Sequence, residues 1–142
     1  MSDGESGNSS IWPLKIIIPG KPVAKGRPRF GKGKVYTPKK TADFENTVAW
    51  MAKAAMGSRK PLEGPVKIHI TASFKSNKKT WHVNRPDADN IEKGILDGLN
   101  GIAFLDDSQV CCKTFHKIND LVECVAVIVE PMPLVYEVTL EK

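Results

Sequence analysis

Arg85-Pro86-Asp87-Ala88-Asp89-Asn90-Ile91-Glu92-Lys93-Gly94-Ile95-Leu96-Asp97-Gly98-Leu99-Asn100 is an acidic turn that runs straight into an amphipathic helix. Pro86 fixes its own φ and pushes Arg85 toward extended backbone. Asp87, Asp89 or Asn90 can cap the first turn. Ile91, Ile95 and Leu99 recur at a spacing of four with Leu96 beside them, which gives one apolar face. Asp89, Lys93 and Asp97 recur at the same spacing on a separate polar face. The pattern predicts a helix over about 88–100, with Gly98 and Gly101 as stop signals.

Acids at a helix start have two readings. They can serve the free N–H groups and the positive end of the helix dipole. Alternatively, if the backbone is still extended there, Asp87 and Asp89 point the same way and converge on one hard cation such as Mg²⁺. A second acidic pair, Asp106-Asp107, follows a short apolar run and precedes a strand-like stretch from Val110 to Val129. Acids from a helix start and from a loop leading into a strand can meet in space, and that favours the cation reading.

Working outward, residues 21–40 carry eight basic side chains (Lys21, Lys25, Arg27, Arg29, Lys32, Lys34, Lys39, Lys40) and no acid. Residues 75–85 carry four more (Lys75, Lys78, Lys79, Arg85), again with no acid. Clustering of this kind, beyond the net charge of +5, is the footprint of a polyanion binder. Lys25, Arg27 and Arg29 alternate with Gly26 and Pro28, so extended backbone turns the three cations to one side. Arg can grip a phosphate with two parallel hydrogen bonds. Phe30 and Tyr36 flank this arm and can stack on exposed bases. Gly31-Lys32-Gly33 reads as a hairpin turn. Trp81 and His82 stand just before the acidic turn, either to touch DNA or to pack beneath it.

The element order reads as strand (Leu14–Ile18), basic arm, helix (Thr41–Met56), strand (Val66–Ala72), basic loop, helix, then two strands (Val110–Ile118 and Leu121–Glu130) in a hairpin across Asn119-Asp120. Phe44, Val48, Met51 or Ala52, and Ala55 trace the apolar face of the first helix. That order describes an α/β (α+β) fold: one small domain, a mixed sheet and two main helices packed against it. The boundaries expected are a disordered tail at 1–10 and one domain over 11–142, with 131–142 as a C-terminal extension and Val135–Leu140 as a short edge strand or arm. At 142 residues the core is small, and dimerisation adds buried surface. No apolar run approaches the roughly 20 residues that cross a bilayer, and the N-terminus lacks a secretory pattern. The cytoplasm is the expected location, with no membrane partner. Cys111, Cys112 and Cys124 offer no C-x-x-C spacing and read as reduced, packed thiols. His69 falls on the polar side of its strand with Lys67 and Thr71, and Trp50 reads as core or interface.

R-P-D-x-D-N-x-x-K-x-x-L-D-G-L-N-G (Arg85 to Gly101), a short gap, then D-D-S-Q-V (Asp106 to Val110), resembles the signature of the RusA-type endodeoxyribonucleases, the Holliday junction resolvases. The Gly- and Pro-rich basic stretch from Gly20 to Arg29 is similar to that family too, and the match runs from about Ile16 to Val129. The resemblance implies that Asp87, Asp89 and Asp107 are the catalytic acids and ligands of Mg²⁺, with Mn²⁺ a possible substitute, and that Lys93 is the catalytic lysine. Asp106 joins the metal ligands or instead caps and orients. Physically, Lys93 suits stabilisation of charge on phosphate oxygens, or an ion pair with Asp89 or Asp97. Lys25, Arg27, Arg29, Lys32, Lys34, Lys75, Lys78, Lys79 and Arg85 form the expected DNA-binding set. The implied substrate is branched DNA, a four-way junction, cut by paired nicks from a homodimer. Neutralising about eight phosphates gives a salt slope near −7.

Two other classes compete. Haloacid dehalogenase phosphatases and glycosyltransferases also carry D-x-D, usually behind an apolar strand, whereas Lys78 to Pro86 is polar and basic. A non-catalytic module for branched or single-stranded DNA would use the same basic arms but gain nothing from clustered acids.

Overall fold

The computed structural model describes residues 12–26, 29–31, 33–36 and 38–140. The expected disordered tail at 1–10, and the residues Arg27 and Lys32, lie outside them. The elements are β1 (Leu14–Pro19), β2 (Arg29–Gly31), β3 (Lys34–Tyr36), α1 (Lys39–Met56), β4 (Val66–Lys75), β5 (Thr80–Trp81), α2 (Ala88–Leu99), a 3₁₀ turn (Asp107–Gln109), β6 (Val110–Asp120) and β7 (Cys124–Pro131). β2 and β3 form the hairpin expected of the Gly31-Lys32-Gly33 stretch, with Gly33 at φ 76°.

The main sheet has the order β1-β7-β4-β6-β5. β4 pairs antiparallel with β7 on one side and parallel with β6 on the other. β1 adds antiparallel to β7, and β5 antiparallel to β6. The sheet is therefore mixed, as the sequence predicts, but β6 and β7 are not the hairpin expected of them. β6 runs through Asn119 and Asp120, and β4 lies between the two strands. Burial explains the choice. Val66, Ile68 and Ile70 of β4 are 1% exposed or less, and flanking β4 on both edges closes the core over them. A β6–β7 hairpin would leave that strand at an edge.

One face of the sheet is apolar and covered. Leu14, Ile16 and Ile18, then Val125, Val127 and Val129, join the β4 residues beneath both helices. α1 buries Phe44, Val48, Ala52 and Met56, and α2 buries Ile91, Ile95 and Leu99. Gly101, at φ 78°, follows the end of α2 as a stop signal should. Gly98 does not terminate α2. It sits where a Cβ would lie 2.7 Å from Val48 Cβ and 2.9 Å from the carbonyl of Glu45, so its missing side chain lets the two helices touch. The opposite sheet face carries His69, which hydrogen-bonds Thr114, and His116, whose ring centroid is 5.2 Å from that of His69. Residues 132–140 form no strand, which corrects the expectation for Val135–Leu140. Trp50 is exposed rather than core.

Candidate active site

The acidic turn sits where β5 hands the chain to α2. Asp87 is the N-cap residue of α2 by position, at φ −72° and ψ 146°, yet its side chain makes no capping hydrogen bond. Asp89 already lies in the first helical turn, so the extended-backbone condition for paired side chains is met at Asp87 alone. Asp87, Asp89 and Lys93 are all exposed. Among the described residues Lys93 forms no ion pair with Asp89 or Asp97, so the helix-pair reading of this lysine is not what is observed.

The turn itself is braced from below. Lys117 on β6 donates from Nζ to the carbonyl oxygens of Asn84 at 2.8 Å and Pro86 at 2.7 Å. His82 Nε2 lies 3.1 Å from the carbonyl oxygen of Arg85. Three successive carbonyls ahead of Asp87 are thus held by two side chains. His82 is fixed in turn, stacked on Phe74 at 3.8 Å and 2.7 Å from Asn119 Oδ1 through Nδ1. Asn119 donates its own amide to Thr80 Oγ1 and the carbonyl of Trp81. The sequence reading did not find Lys117. Its signal was a lysine on the inward-facing side of a strand otherwise carrying Phe115, a place where a cation needs a partner.

α2 is locked along its length by charge. Lys113 of β6 pairs with Glu92 at 2.6 Å. Lys25 pairs with Asp97 and lies 3.4 Å from Glu45 of α1, while its backbone N–H donates to Asn90 O at 2.8 Å. Glu45 Oε2 is buried without a hydrogen bond, so that contact is an ion pair alone. The Asp97 hydrogen bond holds the Lys25 ammonium above its usual range, against the opposing effect of burial. Lys25 is therefore a bridge between helices and leaves the expected DNA-binding set: its charge is already neutralised inside the fold.

The second acidic pair divides its labour. Asp106 caps the 3₁₀ turn, accepting from Ser108 N–H at 3.0 Å in a capping box with Gln109, and this hydrogen bond holds its carboxyl below the usual range. Asp107 lies exposed in that turn. Gln109 ties the turn to the carbonyls of Leu62 and Gly64, both at 2.9 Å. Of the pair, Asp106 thus follows its capping alternative.

A family model described as endodeoxyribonuclease RusA matches residues 19–130. The chain belongs to the RusA endodeoxyribonuclease family. It is also 33% identical over 119 residues to the uncharacterized protein YqaN of Bacillus subtilis (strain 168), covering 68% of this chain and 81% of that protein. It is 30% identical over 88 residues to the crossover junction endodeoxyribonuclease rusA of Lactococcus phage r1t, covering 55% of this chain and 67% of that enzyme.

The RusA chain is an endodeoxyribonuclease, and its surface suits a DNA substrate. Lys34, Lys75, Lys78, Lys79 and Arg85 are exposed. The side chain of Arg29, like Arg27 and Lys32, lies outside the described residues. Trp81 is 65% exposed on the open face of the sheet, 5.7 Å from the ring of His116, and so does not pack beneath the turn; His82 does. Phe30, at the tip of the β2–β3 hairpin, is 79% exposed. Asp87, Asp89 and Asp107 are hard oxygen donors of the kind Mg²⁺ takes. Among the described residues, however, no three His, Cys, Asp or Glu side chains come close enough to hold a metal ion. The three expected ligands do not meet within one chain.

Proposed function

We propose that this RusA-family enzyme resolves four-way DNA junctions by paired nicks, as a homodimer that uses Mg²⁺. The observation that carries the reading is the start of α2. An aspartate in the capping position leaves its carboxylate out of the cap, beside a second exposed acid and an exposed lysine, on a turn braced at three successive carbonyls. Helix stability alone would turn Asp87 onto the free N–H groups. The name of the phage r1t relative supports the substrate class.

In this reading Asp87 and Asp89 are ion ligands, and Lys93 neutralises charge on the phosphate oxygens. Arg85 and the lysines of the 75–79 loop hold the flanking phosphates, and Trp81 offers its indole face to an unstacked base. Bound Mg²⁺ would supply an activated water and neutralise the transition state. A labelled synthetic four-way junction and a matched linear duplex, each with Mg²⁺ and with EDTA, test this. Symmetric Mg²⁺-dependent nicks in the junction alone are expected. Equal cutting of both substrates reduces the activity to a general nuclease.

The non-catalytic alternative is separated by Asp89→Asn. This variant keeps junction affinity and loses cleavage by about a hundredfold or more, since even groups behind the ligands cost 10–100-fold. Wild-type protein that binds the junction but cuts under no divalent cation leaves only the binding module.

A further inference from the structure

The separation of the acids follows from the topology. α2 lies antiparallel to β6: Pro86, before its start, sits on Lys117, and Glu92 sits on Lys113. From Lys117 back to Val110 is seven residues of strand, about 23 Å at roughly 3.3 Å each. α2 covers a similar stretch, its 12 residues spanning about 18 Å. The chain then turns at the far end of the helix, where Ala103 N–H donates to Leu99 O, and Leu62 N–H donates to Ala103 O. Asp107 stands at that end, in a turn tethered to Leu62 and Gly64 by Gln109. Asp87 and Asp89 stand at the other. Mg²⁺ holds its ligand oxygens at about 2.0–2.1 Å, and an aspartate carboxylate is only two bonds from its Cα. No rotamer brings Asp107 to the ion of Asp87 and Asp89 in the same protomer.

We propose that the active site is composite: Asp87 and Asp89 of one protomer meet Asp107 of a second copy of this chain. The inference rests on the proposed nuclease reading, in which all three acids act together. A two-fold axis that sets the start of one α2 against the 3₁₀ turn of the other copy makes two identical sites at once. Each copy lends what the other lacks, and a lone protomer has no complete site. Both anchorages suit such a role. The Asp87 turn is braced on β6 and the Asp107 turn on the loop before β4, so each half is held rigidly while its acids face outward.

The test is complementation between Asp89→Asn and Asp107→Asn, co-produced with two different tags and isolated as heterodimers by sequential affinity steps. Each isosteric change is at an exposed site, and circular dichroism checks the fold. Nicking of the four-way junction and Mn²⁺ bound per dimer are measured on the wild type, both homodimeric variants and the heterodimer. A composite site gives two dead homodimers and a heterodimer with one intact site. That heterodimer binds one equivalent of Mn²⁺ fewer sites than the wild type by half, and nicks one strand at about half the wild-type rate. A heterodimer as inert as its parents in both readouts overturns the proposal. So does an Asp107→Asn homodimer that binds Mn²⁺ and nicks as the wild type does, or a wild-type chain that sediments as a monomer while active. If the wild type nicks no junction, the nuclease reading fails, while the Mn²⁺ counts still report whether the acids act across two copies.

Discussion

Gly98→Ala tests whether the helix carrying Asp89 and Lys93 is placed by direct backbone contact with α1. An added Cβ would lie 2.7 Å from both Cβ and Cγ1 of Val48, and 2.9 Å from the carbonyl oxygen of Glu45. Val48 is fully buried, and no χ1 rotation moves a Cβ. A backbone carbonyl cannot swing aside either, so the helices must part. Overpacking of this kind costs about 1–3 kcal/mol. Replacing glycine in a helix interior returns roughly 0.8–1.0 kcal/mol of propensity. Gly94→Ala has the same propensity gain, but its Cβ meets only Phe44 Cδ2, at an ordinary 3.5 Å. The difference between the two variants therefore isolates the clash. We expect Gly94→Ala to be neutral or stabilising and Gly98→Ala to fall below it by about 2–3 kcal/mol. At about 3–4 °C per kcal/mol for a chain of this size, the Tm values separate by roughly 6–12 °C in thermal unfolding followed by circular dichroism. A Gly98→Ala Tm equal to or above that of Gly94→Ala refutes the close crossing, and with it the placement of α2.

Lys117→Met removes the donor from two carbonyls of the acidic turn and keeps the aliphatic stem. We expect kcat for junction cleavage to drop about 10–100-fold with KM little changed, and Lys117→Arg to recover part of the loss. A proportional rise in KM instead would make Lys117 a DNA contact. Lys25→Met unpairs Asp97 and Glu45. Allowing for its partial exposure, the loss is about 1–2 kcal/mol in urea unfolding at pH 7, with junction affinity unchanged. The Lys25 ammonium is held above its ordinary 10.5, so its contribution is complete below that pH and fades as pH rises through the raised value. The stability gap between wild type and Lys25→Met should therefore be constant at neutral pH and narrow only in strong alkali. A gap that closes below pH 10 contradicts the ion pair.

The fold was legible wherever side-chain period decides it. The spacing of Ile91, Ile95 and Leu99 and the alternation along β4 and β7 each named the buried face correctly, because burial of those residues is what forms the element. Pairing was less legible. Asn119-Asp120 looks like a turn, but local turn chemistry cannot show that β4, far back in the chain, needs both of its edges covered. Side-chain chemistry was legible as residue type and not as partner. Lys25 reads as one more cation in a basic arm, and only the fold reveals Asp97 beside it. Gly98 reads as punctuation, and only the helix crossing shows that it is a contact. The acids show the limit most clearly. Motif order along the chain places Asp87, Asp89 and Asp107 within about twenty residues, and that proximity suggests one cluster. A helix and the return turn intervene, and they carry the third acid to the opposite end of α2. Short sequence separation across a helix is a long distance in space, and a two-fold axis is the simplest operation that closes it.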